Sequence, residues 1–199
     1  MMETTALAMA LVGFASGSMM FSAWLARLRR RDIRRFGDAN PGAMNAFRAG
    51  GWTIGLPALL LDFLKGALPV AAGRWALGIT GAWLVPVAVA PVIGHAFSPW
   101  VGFRGGKAVA VTFGAWCGLT LWEGPTVLGL GLALSCLWPA RDAWRVMAGM
   151  LLLLLWWLLR GAEAHLFAIW AGHFVVLAVK HRRDLAPGFL SGGGSRGGP

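Results

Sequence analysis

The stretch "GDANPGAMNAFR", Gly37–Arg48, decides how this chain is read. It is made of small residues, two Asn, an Asp and a terminal Arg, and long apolar runs flank it on both sides. Just before it stands "RLRRRDIRRF", Arg27–Phe36, among the most basic segments of the chain. An island of this kind between long apolar runs is a loop that returns to water between membrane helices. The composition agrees. Of 199 residues, 57% are hydrophobic and 13% charged, where a soluble domain carries about a quarter charged residues. Charge-free stretches recur at helix-spanning lengths, so the class is an all-α, polytopic membrane protein. Helix is the expected state because lipid offers no partner to open backbone groups, and no barrel-like alternation is present.

Working outward from the loop, we read seven spans, at residues 5–26, 53–73, 76–96, 108–122, 125–139, 145–160 and 162–180. The start, "MMETTALAMALVGF", has an acid and no base before its apolar run, the wrong polarity for a cleavable signal peptide. The arginines follow that run, which predicts an N-terminus outside and a C-terminus in the cytoplasm. The other loops agree with this topology. Of the 18 Lys and Arg, all but external Arg74 and Arg160 and intramembrane Lys65 fall on the cytoplasmic side. The net charge of +10 is therefore topogenic, and no nucleic acid partner follows from it. Cys117 and Cys136 lie in apolar runs and imply neither a disulfide nor a metal site. "GAWCG", Gly114–Gly118, has the small-xxx-small spacing that lets helices approach closely. Residues 1–186 read as one transmembrane domain, and 187–199 as a Gly-rich, disordered tail.

Three polar islands share the cytoplasmic side: 27–48, "GHAFSPWVGFRGGK" (Gly94–Lys107) and "KHRRDL" (Lys180–Leu185). The first suits an oxyanion. Small residues such as Gly42 let backbone N–H groups approach a ligand. Asn40 and Asn45 add amide donors, Arg34 and Arg48 add fixed charge, and a helix starting near Met44 would aim its N-terminus at an anion. An ordinary turn beside topogenic arginines explains the same residues. In the second island Gly105 and Gly106 separate Arg104 from Lys107, an anion nest without the spacing of a Walker A loop. His95 is a candidate general base, an orienting group or a capped histidine. Asp62 and Lys65 are three apart on one helix face, either a structural ion pair or a brace for a cationic site. His165 and His173, on the last span, are read without an acidic or Cys partner, as packing or hydrogen-bonding residues and not a metal site.

In their order, these islands resemble the bacterial acyl-phosphate:glycerol-3-phosphate acyltransferases, the PlsY family. That family shows G-S-G-N-x-G-A-T-N…R, L-L-D-x-x-K-G, G-H-x-F…G-F-[RK]-G-G-K-G and H-R-x-N-I. Here these stand as "GDANPGAMNAFR", "LLLDFLKGALP", "GHAFSPWVGFRGGKAVA" and "HRRDL", and "GSMMFSAWLARL" and "DIRRFG" also look like the family's opening. The similarity covers about residues 13–185. It implies seven transmembrane helices in a bacterial plasma (inner) membrane, with a site facing the cytoplasm. It also implies transfer of a fatty acyl group from acyl phosphate to the 1-hydroxyl of glycerol 3-phosphate, giving lysophosphatidate for phospholipid synthesis. Acyl phosphate is already activated, so no metal, cofactor or covalent intermediate is implied. The tasks left are alignment and charge stabilisation.

The resemblance implies that Lys107, Arg34 and Arg48 bind phosphate, positioned with Asn40, Asn45 and the glycines. His95 would orient the acceptor hydroxyl or take its proton, and His181 would touch substrate from the last helix. The chain departs from the pattern at Asp38, Ala39 and Met44, where the family has Ser, Gly and Thr. It departs again at Asp184, the family's Asn, and at Pro187, where an Arg is expected. Asp38 and Asp184 put carboxylates beside the expected phosphate, so both are candidate site residues with a question of sign. A same-fold paralogue with another acceptor and a lipid or phosphate-compound transporter are the alternatives. The lack of an internal repeat and the one-sided islands disfavour the transporter.

Overall fold

The computed structural model describes residues 1–137 and 139–186; the Gly-rich tail lies outside the described residues. Every regular element among them is helical. In order they are α1 (Met2–Ser18), α2 (Phe21–Leu28), a 3₁₀ turn (Ile33–Arg35), α3 (Ala43–Gly50) and α4 (Trp52–Ala71), which runs on into a π turn (Ala72–Ala76). A 3₁₀ turn (Gly81–Trp83) then leads into α5 (Leu84–Ala96), and another (Pro99–Val101) precedes α6 (Val109–Thr120), α7 (Glu123–Ser135), α8 (Asp142–Leu159) and α9 (Ala164–Leu185). Among the described residues, five segments are long and apolar enough to cross a membrane: Met2–Leu28, Trp52–Ala76, Gly81–Val101, Asp142–Leu159 and Ala164–Leu185. Helices α6 and α7 have 12 and 13 residues. At 1.5 Å per residue they reach about 18–20 Å, short of the ~30 Å hydrocarbon layer.

Small residues set the closest helix contacts. A Cβ at Gly114 would lie 2.0 Å from the Phe63 carbonyl, and one at Gly118 2.6 Å from that of Ala67. The spacing in "GAWCG" thus does seat α6 on α4. Gly17 and Gly94 do the same for α1 against α5, where added Cβ atoms would strike the carbonyls of Pro91 and Phe14. The main core lies between these pairs and α9. Trp116 is fully buried there, with the Trp157 and His173 rings both at 5.7 Å. His173 donates from Nε2 to the Ala88 carbonyl at 3.1 Å, the packing and hydrogen-bonding role expected of it. His165 differs from expectation, since its Nδ1 sits 3.3 Å from Glu163 Oε2. The pair straddles the start of α9, where chain direction changes and brings together residues that a continuous helix would hold apart.

Two sequence-derived spans need correction. The span read at 5–26 is broken at Met19–Met20, where Met19 is extended (ψ 125). Such a break frees carbonyls that lipid cannot satisfy. Here Ser98 Oγ donates to the Ser18 carbonyl at 2.6 Å, and Lys65 Nζ donates to that of Met19. Lys65 is also 2.7 Å from Asp62 Oδ1, both side chains being about 2% exposed or less. The buried pair is therefore structural, tying α4 to the break between α1 and α2. The span read at 76–96 begins later, because Leu77–Thr80 is non-helical and Gly78 and Gly81 take φ of +63° and +59°. After the break, α2 and α3 build a small second core of Met20, Ala23, Ala26, Ile33, Ala46, Ile54 and Ala58, which carries the Gly37–Arg48 loop.

Candidate active site

The loop is shaped by its own polar groups. Gly37 takes φ +57°, and a Cβ there would lie 2.1 Å from an Arg48 guanidinium nitrogen and 2.3 Å from Asn45 Oδ1. Only glycine fits both the conformation and the space. Asp38 Oδ1 accepts from the Asn40 backbone N–H at 3.2 Å, an Asx turn, and from Asn45 Nδ2 at 2.7 Å. Asn45 Nδ2 also donates to the Asn40 carbonyl at 2.9 Å, while its Oδ1 accepts from Arg48 at 3.0 Å. Ser22 Oγ fixes the loop's far side by donating to the Pro41 carbonyl at 2.6 Å. Ala39, at the family's glycine position, holds φ +60°. That conformation costs an L-residue roughly 1–2 kcal/mol.

Across from the loop stands Lys107, whose Nζ is 2.7 Å from Asp38 Oδ2 and 2.7 Å from Asp184 Oδ2. The two carboxylates that depart from the family pattern thus grip the lysine expected to bind phosphate. Burial alone would raise the Asp38 carboxyl, but hydrogen bonds from Lys107 and Asn45 overcome it and hold the group below its ordinary 3.8. Burial likewise opposes the Lys107 ammonium, yet hydrogen bonds to Asp184 and Asp38 keep it above its ordinary 10.5. Both groups of this half-exposed clasp therefore stay charged through the neutral range.

The Gly-Gly turn has a packing task. A Cβ at Gly105 would lie 1.9 Å from the His95 carbonyl, and one at Gly106 2.1 Å from His95 Nε2. Lys180 Nζ locks this seam, donating to the carbonyls of Ala96 at 2.8 Å and Gly105 at 2.9 Å. Its part was not legible in the sequence, where it stood only as one charge in the third island. His95 is 3% exposed. Its Nδ1 is 3.9 Å from Asp62 Oδ1 and makes no hydrogen bond to any described residue. His181 donates from Nδ1 to the Leu177 carbonyl at 2.9 Å, which leaves Nε2 as an acceptor. Ala108, just after Lys107, is buried and holds φ +64° at the start of α6.

One cavity of about 610 Å³ joins these parts. Asp38, Asn40, Gly42, Asn45, Arg48, His95, Lys107 and His181 line its polar end. Met44 joins them from the first turn of α3, where backbone N–H groups have no intrahelical partners. Leu59, Val109, Phe113, Leu132 and Val146 make an apolar wall from α4, α6, α7 and α8. Asp184 reaches the cavity through Lys107. Arg34 and Arg104 do not line it. Arg34 borders a separate cleft with Arg27, Arg30, Arg31 and Asp32, and Arg104 is exposed on the loop before the Gly-Gly turn. Sequence reasoning missed the apolar wall, whose residues look like any membrane-spanning ones, and Asp142 and Arg145, which also line the cavity. A cavity with a cationic, amide-rich end and a long apolar wall suits an amphiphile with an anionic head.

Comparison with known proteins agrees with that chemistry. The model of the family described as glycerol-3-phosphate acyltransferase matches residues 7–187. Glycerol-3-phosphate acyltransferase 1 of Thermotoga maritima is 38% identical over 188 residues, covering 87% of this chain and 93% of the relative. Its Deinococcus radiodurans namesake is 43% identical over 143 residues, 70% of this chain and 69% of the relative. Two crystal structures of PlsY (YgiH), an integral membrane glycerol 3-phosphate acyltransferase, superpose on the fold. The glycerol 3-phosphate form has a TM-score of 0.82 at 26% identity, and the lysophosphatidic acid form 0.81 at 25%. Each covers 89% of this chain and 88% of the other. By the extent of the family match and by these relatives, the chain belongs to the glycerol-3-phosphate acyltransferase family.

Proposed function

We propose that this membrane enzyme transfers a fatty acyl group from acyl phosphate to the 1-hydroxyl of glycerol 3-phosphate, releasing lysophosphatidate and phosphate. The single observation that carries the reading is the cavity itself. Its Lys107–Arg48–Asn45 end offers cations and amides to a phosphate, and its α4–α6–α7–α8 wall offers an apolar channel to an acyl chain. The acceptor hydroxyl attacks the acyl carbonyl, the bond from that carbon to the phosphate oxygen breaks, and phosphate leaves with the electron pair. His95 receives the hydroxyl proton. Lys107 and Arg48 hold the acceptor phosphate with Asn40, Asn45 and the backbone around Gly42, while His181 contacts the acceptor from α9. Gly105 and Gly106 keep His95 and Lys107 in register. The phosphate has to take over Lys107 contacts that Asp38 and Asp184 make in its absence. Arg34 and Arg104 act at longer range, as part of the positive field that draws anions to this face.

We further infer one membrane domain over 1–186 with seven crossings, α6 and α7 spanning where the protein packs closely or the bilayer thins. The N-terminus lies outside and the site opens to the cytoplasm, a reading the loop charges support; membership of the family supports a bacterial inner membrane. Purified protein given palmitoyl phosphate and glycerol 3-phosphate is expected to form lysophosphatidate. Flux of either compound across liposomes without product would replace this reading by a transporter. Product with another acceptor alone would make the chain a paralogue. A Cys near Met2 is expected to label from outside, and one near Gly194 only from the cytoplasm.

A further inference from the structure

Arg145 lies on the first turn of α8 and lines the same cavity, yet neither the Lys107 clasp nor the acceptor loop uses it. Its guanidinium meets Asp142 Oδ1 at 3.2 Å, but the Asp142 side chain is 78% exposed. Such a pair is weak and exchanges readily. Arg145 Nε is buried and has no hydrogen-bond partner among the described residues. The same cavity is lined by its charged partner Asp142 and, on the apolar side, by Val146 of α8, Leu132 of α7 and Phe113 of α6. The reaction proposed above brings two phosphate groups into one cavity. Three carbons of the glycerol backbone separate the acceptor's phosphate from its reacting hydroxyl. The donor's phosphate is bonded to the reacting carbonyl carbon, so it meets the acceptor at the hydroxyl end and needs donors of its own. Lys107, already shared between two carboxylates, cannot neutralise both. An amphiphile also needs a cation for its anionic head beside the apolar surface that takes its chain, and Arg145 lines the cavity next in sequence to Val146 of that wall.

We propose that Arg145 is the subsite for the phosphate of the acyl donor, leaving Lys107 and Arg48 to the acceptor; this rests on the acyltransferase reading. Its fork of donors would exchange Asp142 for two phosphate oxygens, with Nε–H as one donor. The test measures KM for palmitoyl phosphate and for glycerol 3-phosphate separately, in wild type, Arg145→Ala and Arg145→Lys. It adds protection of the solubilised protein by dodecyl phosphate against thermal unfolding, a readout without turnover. Arg145→Ala is expected to raise the palmitoyl phosphate KM at least tenfold, to move the glycerol 3-phosphate KM less than twofold, and to abolish protection. Arg145→Lys is expected to recover part of both effects and carries the test if the Ala variant does not fold. Dodecanol, lacking the phosphate, should not protect. An unchanged donor KM in folded variants of an active enzyme overturns the subsite, and so does a rise confined to glycerol 3-phosphate. If the wild type forms no product but Arg145-dependent protection by dodecyl phosphate persists, the acyltransferase reading fails while a site for amphiphilic phosphates stands.

Discussion

Two lysines of this protein sit 2.7 Å from a carboxylate, and their surroundings give them opposite work. Lys65 and Asp62 are buried, about 2% exposed or less although Asp62 borders the cavity's inner wall, and a further proton of Lys65 caps the Met19 carbonyl at the break between α1 and α2. Lys107 faces the cavity with 28% of its side chain exposed, between Asp38 at 43% and Asp184 at 35%. The first pair cannot exchange partners, because each charge would be left in a medium that does not solvate it. The second can, because water or an incoming phosphate can take over any contact it gives up. The same ionic contact is thus a structural rivet in one place and a replaceable ligand in the other. His95 stands between them, 3.9 Å from Asp62 and lining the cavity.

The comparison can be broken most severely at Lys65. Lys65→Ala leaves Asp62 buried without its cation and is expected to cost about 3–5 kcal/mol, read as a loss of folded protein in thermal unfolding of the solubilised enzyme. Wild-type stability in that variant would end the rivet reading. His95→Ala is expected to lower turnover by about 10²–10⁴ if it carries the proton. A loss of only a few-fold, with normal folding, would assign His95 to the packing around Gly106. Lys107→Ala should fold, unlike the Lys65 variant, and weaken use of glycerol 3-phosphate by about 1.5–3 kcal/mol in kcat/KM. Unchanged kinetics would remove Lys107 from the site.

Asp38 sharpens the second half of the comparison. Its negative charge opposes an incoming phosphate, but its pairing with Lys107 and its partial exposure screen much of that repulsion. Asp38→Ser and Asp38→Asn are expected to lower the glycerol 3-phosphate KM by up to about tenfold, roughly 1.4 kcal/mol. Asn keeps an acceptor for the Asn40 turn, whereas Ser shortens it. A rise in KM for both variants would make the carboxylate a positive part of the site, as an organiser of Asn45 and the loop. The smallest effect is expected at Ala39, whose φ is +60°. Ala39→Gly removes strain but loosens the unfolded chain, so a net gain of about 0.5–1 kcal/mol is expected. A fall in melting temperature would show that the loop does not hold this conformation.

The membrane class and the helical state could be read from the order of residues alone, because lipid imposes composition directly on sequence. So could the residues of the polar end, since Asn40, Gly42, Asn45, Arg48, His95, Lys107 and His181 come as compact islands, and the folded chain lines one cavity with all of them. The small-residue contact of α6 with α4 was visible in "GAWCG" for the same local reason. Pairing was not visible. Nothing in the sequence says that Asp38 and Asp184, 146 positions apart, meet on one ammonium, or that Lys65 caps a carbonyl 46 positions away. The break at Met19–Met20 was hidden because both residues are apolar, and only distant donors make it tolerable. The apolar wall and Arg145 were hidden because a groove is made by which faces of α4, α6, α7 and α8 are left uncovered. That choice belongs to helix packing: composition decides that a helix is buried in lipid or protein, but close approach at particular glycines decides which side faces a void.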